Sequence, residues 1–222
     1  AGPHALTSKT EDGQTSSYSY DANGNMTNRN GDTLAYDSEN HMISAEYTDN
    51  SPKISVELKK GWNFFALPFD STNNDISSIL SSLKIGVDYD QISQWNPDSQ
   101  TYEHYANLGG DSFTALEYGR GYAINILKDS VTLTLEDDIK IQTTSKSLKK
   151  GWNVIGSAVT DDQTKEQFLA EIADNNGAQI FRYNANKSAW EFCGRDFNNI
   201  EPGKGYAVYL PQNTTRDIAV SA

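Results

Sequence analysis

The sequence predicts a β-rich α+β protein: a β-hairpin segment over residues 1–51, then two tandem homologous β-β-α-β-β-β units over 52–143 and 144–222. Three observations carry that reading. Hydrophobic residues make up 36% of the chain and aromatics 11%, at a mean hydropathy of −0.64; this is too polar for one large aliphatic core and too aromatic for a disordered chain. Sequence blocks recur in order along the last three quarters. The first 50 residues lack helical periodicity and are punctuated by turn dipeptides.

In the first segment, Asp12-Gly13, Asn23-Gly24 and Asn30-Gly31 read as two-residue hairpin turns, whose central residues need positive φ. Short strands are expected around them at 17–21, 33–36 and 42–47, and Ser51-Pro52 marks the boundary. This segment carries half of the chain's net charge of −12.

The duplication begins at Leu58-Lys59-Lys60-Gly61-Trp62-Asn63, repeated as Leu148-Lys149-Lys150-Gly151-Trp152-Asn153. Gln91 to Asn96 then matches Gln179 to Asn184, and Thr101-Tyr102-Glu103 matches Ala189-Trp190-Glu191. Leu116 to Ile124 matches Ile200 to Val208 around Gly119-Arg120-Gly121-Tyr122 and Gly203-Lys204-Gly205-Tyr206. Each copy opens with an alternating strand (54–58 in the first), a Lys-Lys-Gly turn and an aromatic strand (62–67). A helix follows, with Ile76, Ile79, Leu80 and Leu83 forming one apolar stripe behind a cap at Asn74 or Asp75. In the second copy, Thr160 and Asp161 are the expected cap, and Phe168, Leu169 and Ile172 the stripe. Two strands then flank the turn Asn96-Pro97-Asp98-Ser99, or Asn184-Ala185-Asn186-Lys187. A last strand opens after Gly-x-Gly, and a further strand is expected at 131–135 or 217–220.

Composition also sets aside several function classes. With 18 basic against 30 acidic side chains, the surface repels phosphate backbones and anionic lipid, so nucleic acid is not an expected partner. No apolar run approaches the roughly 18 to 20 residues of a spanning helix, and Ala1-Gly2-Pro3-His4 has no charged-then-apolar leader; the expectation is a soluble chain without membrane insertion. Cys193 stands alone, which excludes an internal disulfide framework and reads as a small buried apolar side chain. His4, His41 and His104 lack metal-ligand spacing. The Asp70 to Asp75 and Asp21 to Asn25 runs lack the glycine and closing glutamate of a calcium loop. No cofactor, metal or catalytic residue is expected, because no carboxylate, serine or threonine stands beside a recognisable partner. The acidic run Glu136-Asp137-Asp138 reads as solvated loop charge.

Trp62 and Trp152 read as core anchors, Asn63 and Asn153 as satisfying local backbone groups, and Tyr122 and Tyr206 as packing residues. Arg120 and Lys204 sit between glycines that precede a strand rather than a helix, so they make no phosphate loop. The binding candidates are the hairpin aromatics: Trp95, Tyr102 and Tyr105, with Tyr183, Trp190 and Phe192 in the second copy. Of these, Trp95, Tyr102, Tyr183 and Trp190 are the expected ligand contacts. Aromatic faces beside amides and carboxylates hold sugar rings by stacking and hydroxyl hydrogen bonds, and they also serve as ordinary packing in an amphipathic hairpin.

Gly2 to Ser8, Tyr18-Ser19-Tyr20-Asp21-Ala22-Asn23-Gly24-Asn25-Met26-Thr27 and Leu34-Ala35-Tyr36-Asp37-Ser38-Glu39-Asn40-His41-Met42 resemble consecutive tyrosine-aspartate (YD) repeats of RHS-type bacterial surface and toxin-delivery proteins. The resemblance runs to about Tyr47, with Asn40-His41-Met42 where that family usually has Asn-Arg-Leu. It implies a strand-rich wrapping element at the bacterial cell surface. The rest of the chain resembles duplicated Gly-Trp-Asn modules of large secreted bacterial proteins. The combined expectation is a non-enzymatic extracellular structural, assembly or adhesion module within a larger polypeptide. Its partners are other copies of itself or the parent chain, joined through edge strands into a filament or shell. A carbohydrate-binding module is the alternative.

Overall fold

The computed structural model describes residues 5–11, 14–47, 53–69, 73–106, 110–136 and 144–218. The chain divides into two compact units, at 1–50 and 51–221. Both are β-rich, and among the described residues the helical content is two short helices in the second unit.

The first unit is an antiparallel meander in chain order: β1 (Ser8–Glu11), β2 (Gln14–Tyr20), β3 (Met26–Arg29), β4 (Asp32–Tyr36) and β5 (Met42–Glu46). Asn30 and Gly31 have φ of 54° and 100°, the two-residue turn their identities demand. The Tyr-Asp pairs explain the other connections. Asp21 Oδ1 accepts from the backbone N–H groups of Asn23 and Asn25, both at 2.9 Å. Asp37 Oδ1 does the same for Glu39 at 2.8 Å and His41 at 2.9 Å. Each aspartate thus folds a five-residue loop after its tyrosine by supplying acceptors to amides left over by the ladder. Asn23-Gly24 is therefore not the two-residue turn expected: of the two, only Gly24 has positive φ. The oxygens of Asp21 are occupied by turn amides and by Asn25 Nδ2. Asp12-Gly13, Ser51-Pro52, Asp70 and the residues after Glu136 in the acidic run lie outside the described residues.

The second unit holds both copies. The first comprises β6 (Lys53–Ala66), α1 (Ile76–Ile79), β7 (Tyr89–Asn96), β8 (Thr101–Tyr105) and β9 (Gly121–Glu136). The second comprises β10 (Thr144–Leu148), β11 (Gly151–Gly156), β12 (Gln163–Thr164), α2 (Lys165–Ala170), β13 (Gln179–Asn184), β14 (Ala189–Phe192), β15 (Asn199–Ile200), β16 (Gly205–Leu210) and β17 (Thr214–Ile218). Their four-stranded sheets have the same topology, β6-β9-β7-β8 and β11-β16-β13-β14.

The two strands expected at the start of each copy are fused in β6, which crosses a bulge at Lys59–Gly61, and separate in β10 and β11. The asparagine of each Gly-Trp-Asn motif closes that corner. Asn63 Oδ1 accepts from Lys59 N at 3.0 Å while its Nδ2 donates to the Lys59 and Gly61 carbonyls at 2.6 and 2.9 Å. Asn153 repeats the arrangement on Lys149 and Gly151.

Both helices are shorter than their apolar stripes. Only Ile76 and Ile79 of the first stripe are helical; Leu80 caps the helix and Leu83 follows in a turn, because paired serines offer weak helix propensity. Asp75 stands at the N-cap without a side-chain cap bond. In the second copy the cap is Thr164, not Thr160 or Asp161. Thr164 accepts from Gln167 N while Gln167 Oε1 accepts from Thr164 N, a complete capping box. One face of each sheet covers these helices, giving cores around Phe65, Tyr122 and Leu80 in the first copy and Phe168, Tyr206 and Ile180 in the second.

The copies meet reciprocally through their Gly-x-Gly turns. Phe65 bridges to Lys204, and Ile155 to Arg120. Ala66 N donates to Gly203 O at 3.0 Å, and Gly156 N to Gly119 O at 3.1 Å. Each pair exchanges equivalent positions, the signature of a two-fold-like, self-complementary interface. The approach leaves no room for side chains. A Cβ on Gly156 would lie 1.9 Å from Ala66 Cβ, and one on Gly205 would lie 2.8 Å from Phe65 O. The Gly156→Ala variant should lose about 1–3 kcal/mol through overpacking, read as a lower urea midpoint at constant m-value. Adding Ala66→Gly should recover much of the loss, and an unchanged midpoint for the single variant would contradict the close approach.

Candidate functional site: twin aromatic cavities between the copies

Strand alternation decides which side chains leave the cores. In β6, Asn63 and Phe65 point to the helix side, so Trp62 and Phe64 point the other way. The same parity puts Ala123 of β9, Ser93 and Trp95 of β7, and Tyr102 and His104 of β8 on that second face. In the other copy it is Trp152, Val154, Ala207, Phe181, Tyr183, Trp190 and Phe192. These faces oppose one another. Phe64 packs on Trp190 and Tyr183 at ring-centre distances of 5.1 and 6.0 Å, and Trp95 Nε1 donates to Trp152 O at 2.8 Å.

Two adjoining cavities remain between them. One, of about 310 Å³, is lined by Trp62, Phe64, Tyr102, His104, Tyr183 and Trp190, with Ser93 and Ala123. The other, of about 380 Å³, is lined by Trp95, Tyr102, Trp152, Phe181 and Trp190, with Val154 and Ala207. Apart from His104, whose counterpart Phe192 does not line the second cavity, their linings exchange under the repeat: Trp62 corresponds to Trp152, Phe64 to Val154, Ser93 to Phe181, Ala123 to Ala207 and Tyr183 to Trp95. Tyr102 and Trp190, themselves equivalent, are shared by both. Neither lining contains an Asp, Glu, Lys or Arg side chain.

All four expected ligand contacts meet here. Tyr102 and Trp190 are 40% and 44% exposed, while Trp95 and Tyr183 are half-buried and brace them edge-on at 4.9 and 5.4 Å. Tyr105 is instead a core residue, because it lies on the helix side of β8 two positions from Glu103. Phe192 packs on Phe181 at 5.1 Å.

Trp62 and Trp152 are not core anchors. They are 39% and 40% exposed and form the outer walls of the cavities. The buried position of each motif is the asparagine, which needs the interior to bond the bulge; the neighbouring tryptophan is thereby turned outward. Period-two alternation with Phe65 carried that signal. Sequence reasoning also missed Phe64, Phe181 and His104 as lining residues.

The carboxylates and cations nearest the repeat motifs are committed elsewhere. Glu191, buried on the helix-side parity, accepts from Lys187 Nζ and Arg182 Nε at 2.8 Å and Asn184 Nδ2 at 2.9 Å. These donors, Lys187 foremost, hold its carboxyl down at about 2. Its counterpart Glu103 is served by neutral amides, Asn96 at 2.7 Å and Gln94 at 2.5 Å, which also lower it. Arg120, between the glycines, pairs with Glu117 and donates to Trp95 O at 2.9 Å; Lys204 pairs with Glu201.

Arg216 is fully buried. It donates to Glu171 Oε2 through Nε and Nη2 at 2.9 and 2.7 Å, to Gly119 O at 3.1 Å and to Gly156 O at 2.8 Å. It thereby ties both copies together at one side of their interface. Cys193 is buried, which raises its thiol above the ordinary value. Among the described residues there is no group of three or more His, Cys, Asp or Glu arranged to hold a metal ion.

Comparison with protein-family models, curated proteins and solved structures gave no match.

Glu191 titrates near 4.5 when unfolded and near 2 when folded. Its contribution to stability is therefore complete above pH 4.5 and lost as pH falls toward 2. The Glu191→Gln variant should show a shallower fall in urea midpoint over that interval than the parent, with the two curves converging at its acid end. Parallel curves would contradict the assignment.

Proposed function

We propose that the chain is a non-enzymatic extracellular adhesion module, part of a larger RHS-like surface protein, that binds neutral carbohydrate in the cavities between its duplicated sheets. One observation carries the reading. Trp62, Tyr102, Trp152 and Trp190, each about two-fifths exposed, converge around two adjoining cavities whose linings carry no charged side chain. Exposed aromatic area of this concentration is unfavourable in water unless something covers it. Pyranose rings suit it, because their C–H faces stack on aromatic rings while their hydroxyls stay at the wet rim.

The placement of carboxylates supports binding over bond cleavage. Glycoside hydrolysis uses a carboxyl pair roughly 5 to 9.5 Å apart across the sugar. Glu103 and Glu191 have helix-side parity and are saturated by amide and cationic donors, and neither lines the two aromatic cavities. The acidic chain favours neutral over anionic sugars. Titration with a panel of neutral glycans should quench or shift tryptophan fluorescence, and Trp190→Ala, which removes a wall common to both cavities, should weaken the response at least tenfold. A flat response across the panel removes the reading.

Self-association through open sheet edges is a second reading. It is favoured by β5, at the free edge of the meander, where Met42 and Ile43 are 58% and 66% exposed. Light scattering on a sizing column should show mass rising with concentration above 24.5 kDa, and Ile43→Lys should suppress the rise. A constant monomer mass at high concentration argues against it.

A further inference from the structure

The two cavities are related by the repeat but differ in chemistry, and the first is bordered by a polar cross-strand pair where the second copy has an aromatic one. In the first copy Ser93 lies opposite His104; in the second, Phe181 lies opposite Phe192. Ser93 Oγ is 2.9 Å from His104 Nδ1, and Gln91 Nε2 donates to the same nitrogen at 2.7 Å and to Ser93 Oγ at 3.1 Å. An amide N–H directed at Nδ1 makes that nitrogen the acceptor, which places the proton of the neutral ring on Nε2. Among the described residues the hydrogen bonds of this ring run through Nδ1. The ring is solvent-exposed, anchored by a buried serine, and borders a cavity otherwise walled by aromatic faces.

We infer that the His104 cavity is a hydroxyl-reading subsite for a neutral pyranose, in which His104 Nε2–H donates to a ring hydroxyl, while the Trp152 cavity holds a neighbouring ring of the same oligosaccharide by stacking alone. The inference rests on the carbohydrate reading and gives it a direction. Because Tyr102 and Trp190 wall both cavities, a ligand filling them crosses that shared ridge, so the minimum ligand is longer than one sugar. Specificity among sugars that differ only in hydroxyl configuration then resides at His104: a site built to hydrogen-bond a hydroxyl discriminates against its absence, whereas a stacking wall accepts any ring.

The test is calorimetric titration of the full chain with the β-1,4-linked hexasaccharides of glucose, mannose and galactose at pH 8. The His104→Phe variant removes the ring N–H donor, placing at position 104 the residue type of the equivalent Phe192, and should lose about tenfold in affinity for the preferred hexasaccharide, narrowing the spread among the three. His104→Gln, which keeps a donor, should restore part of the spread. Nitrogen-15 NMR of the unliganded protein should show the Nε2–H tautomer at His104. Unchanged affinity and ranking in His104→Phe, in a protein whose binding is lost on Trp190→Ala, overturns this inference and leaves the carbohydrate reading standing. Wild-type protein that binds none of the sugars, or Trp190→Ala that binds them all normally, overturns the carbohydrate reading itself.

Discussion

The second unit depends on one close contact, the passage of backbone against backbone at its two Gly-x-Gly turns. Gly119 and Gly203 take φ of 71° and 75°, which turns the chain, and Gly121 and Gly205 then run past the opposite copy's aromatic strand. The Ala66–Gly156 contact lies in the same seam. Reciprocal amide–carbonyl bonds across it satisfy groups that would otherwise be buried without partners. The sheet faces beyond the seam are held together there, and the space between them becomes the pair of cavities. The geometry of the cavities is thus a consequence of how glycine lets the two halves approach, and the aromatics furnish what the seam leaves open.

Duplication made the architecture legible in advance. Four repeated blocks in one order imply one topology used twice, and the two sheets have the same strand order. The roles of Asn63, Asn153, Tyr122 and Tyr206 were also readable, since a short amide next to a glycine turn has local groups to bond, and a tyrosine leading a strand has a core to fill. The tyrosines do more than pack: Tyr122 Oη accepts from Glu117 N at 2.6 Å and Tyr206 Oη from Glu201 N at 2.7 Å, fastening each Gly-x-Gly turn to its own core. What could not be read was the relation between copies. Sequence order says nothing about which sheet faces oppose, so Phe64 and Phe181 looked like generic strand aromatics. Trp62 and Trp152 failed for a sharper reason: size suggested burial, whereas the bulge-closing asparagine next door had already claimed the interior position.

Where the copies differ, the differences divide into those that serve the fold and those that serve the cavities. Leu58 pairs with Val131 and Leu148 with Thr214, so Leu133 in the first copy corresponds to Arg216 in the second. The first copy has a long uninterrupted ribbon there and fills the position with a leucine. The second has the separate β10–β17 pair, and its arginine spans to Glu171 and to carbonyls of both halves. Burying a cation is costly, and the burial pushes Arg216 down against the opposing pull of Glu171. Such a pair is weak evidence for stability but a demanding one for geometry, because only one arrangement satisfies all of its donors. It therefore registers one copy on the other.

The cavity differences have no such structural use. Ser93 and His104 stand on the sheet face turned away from the helix, where the second copy has the packed pair Phe181 and Phe192. Packing alone would favour the aromatic pair, which contributes about 0.5–1.5 kcal/mol beyond its burial. A hydrogen-bonded Gln91–Ser93–His104 group in its place exchanges that contribution for a fixed donor beside aromatic walls. A scaffold kept only for shape has no reason to make that exchange in one half. A scaffold that reads hydroxyls at one end of a ligand and stacks on the other has a direct one, and the direction follows from which copy carries the histidine.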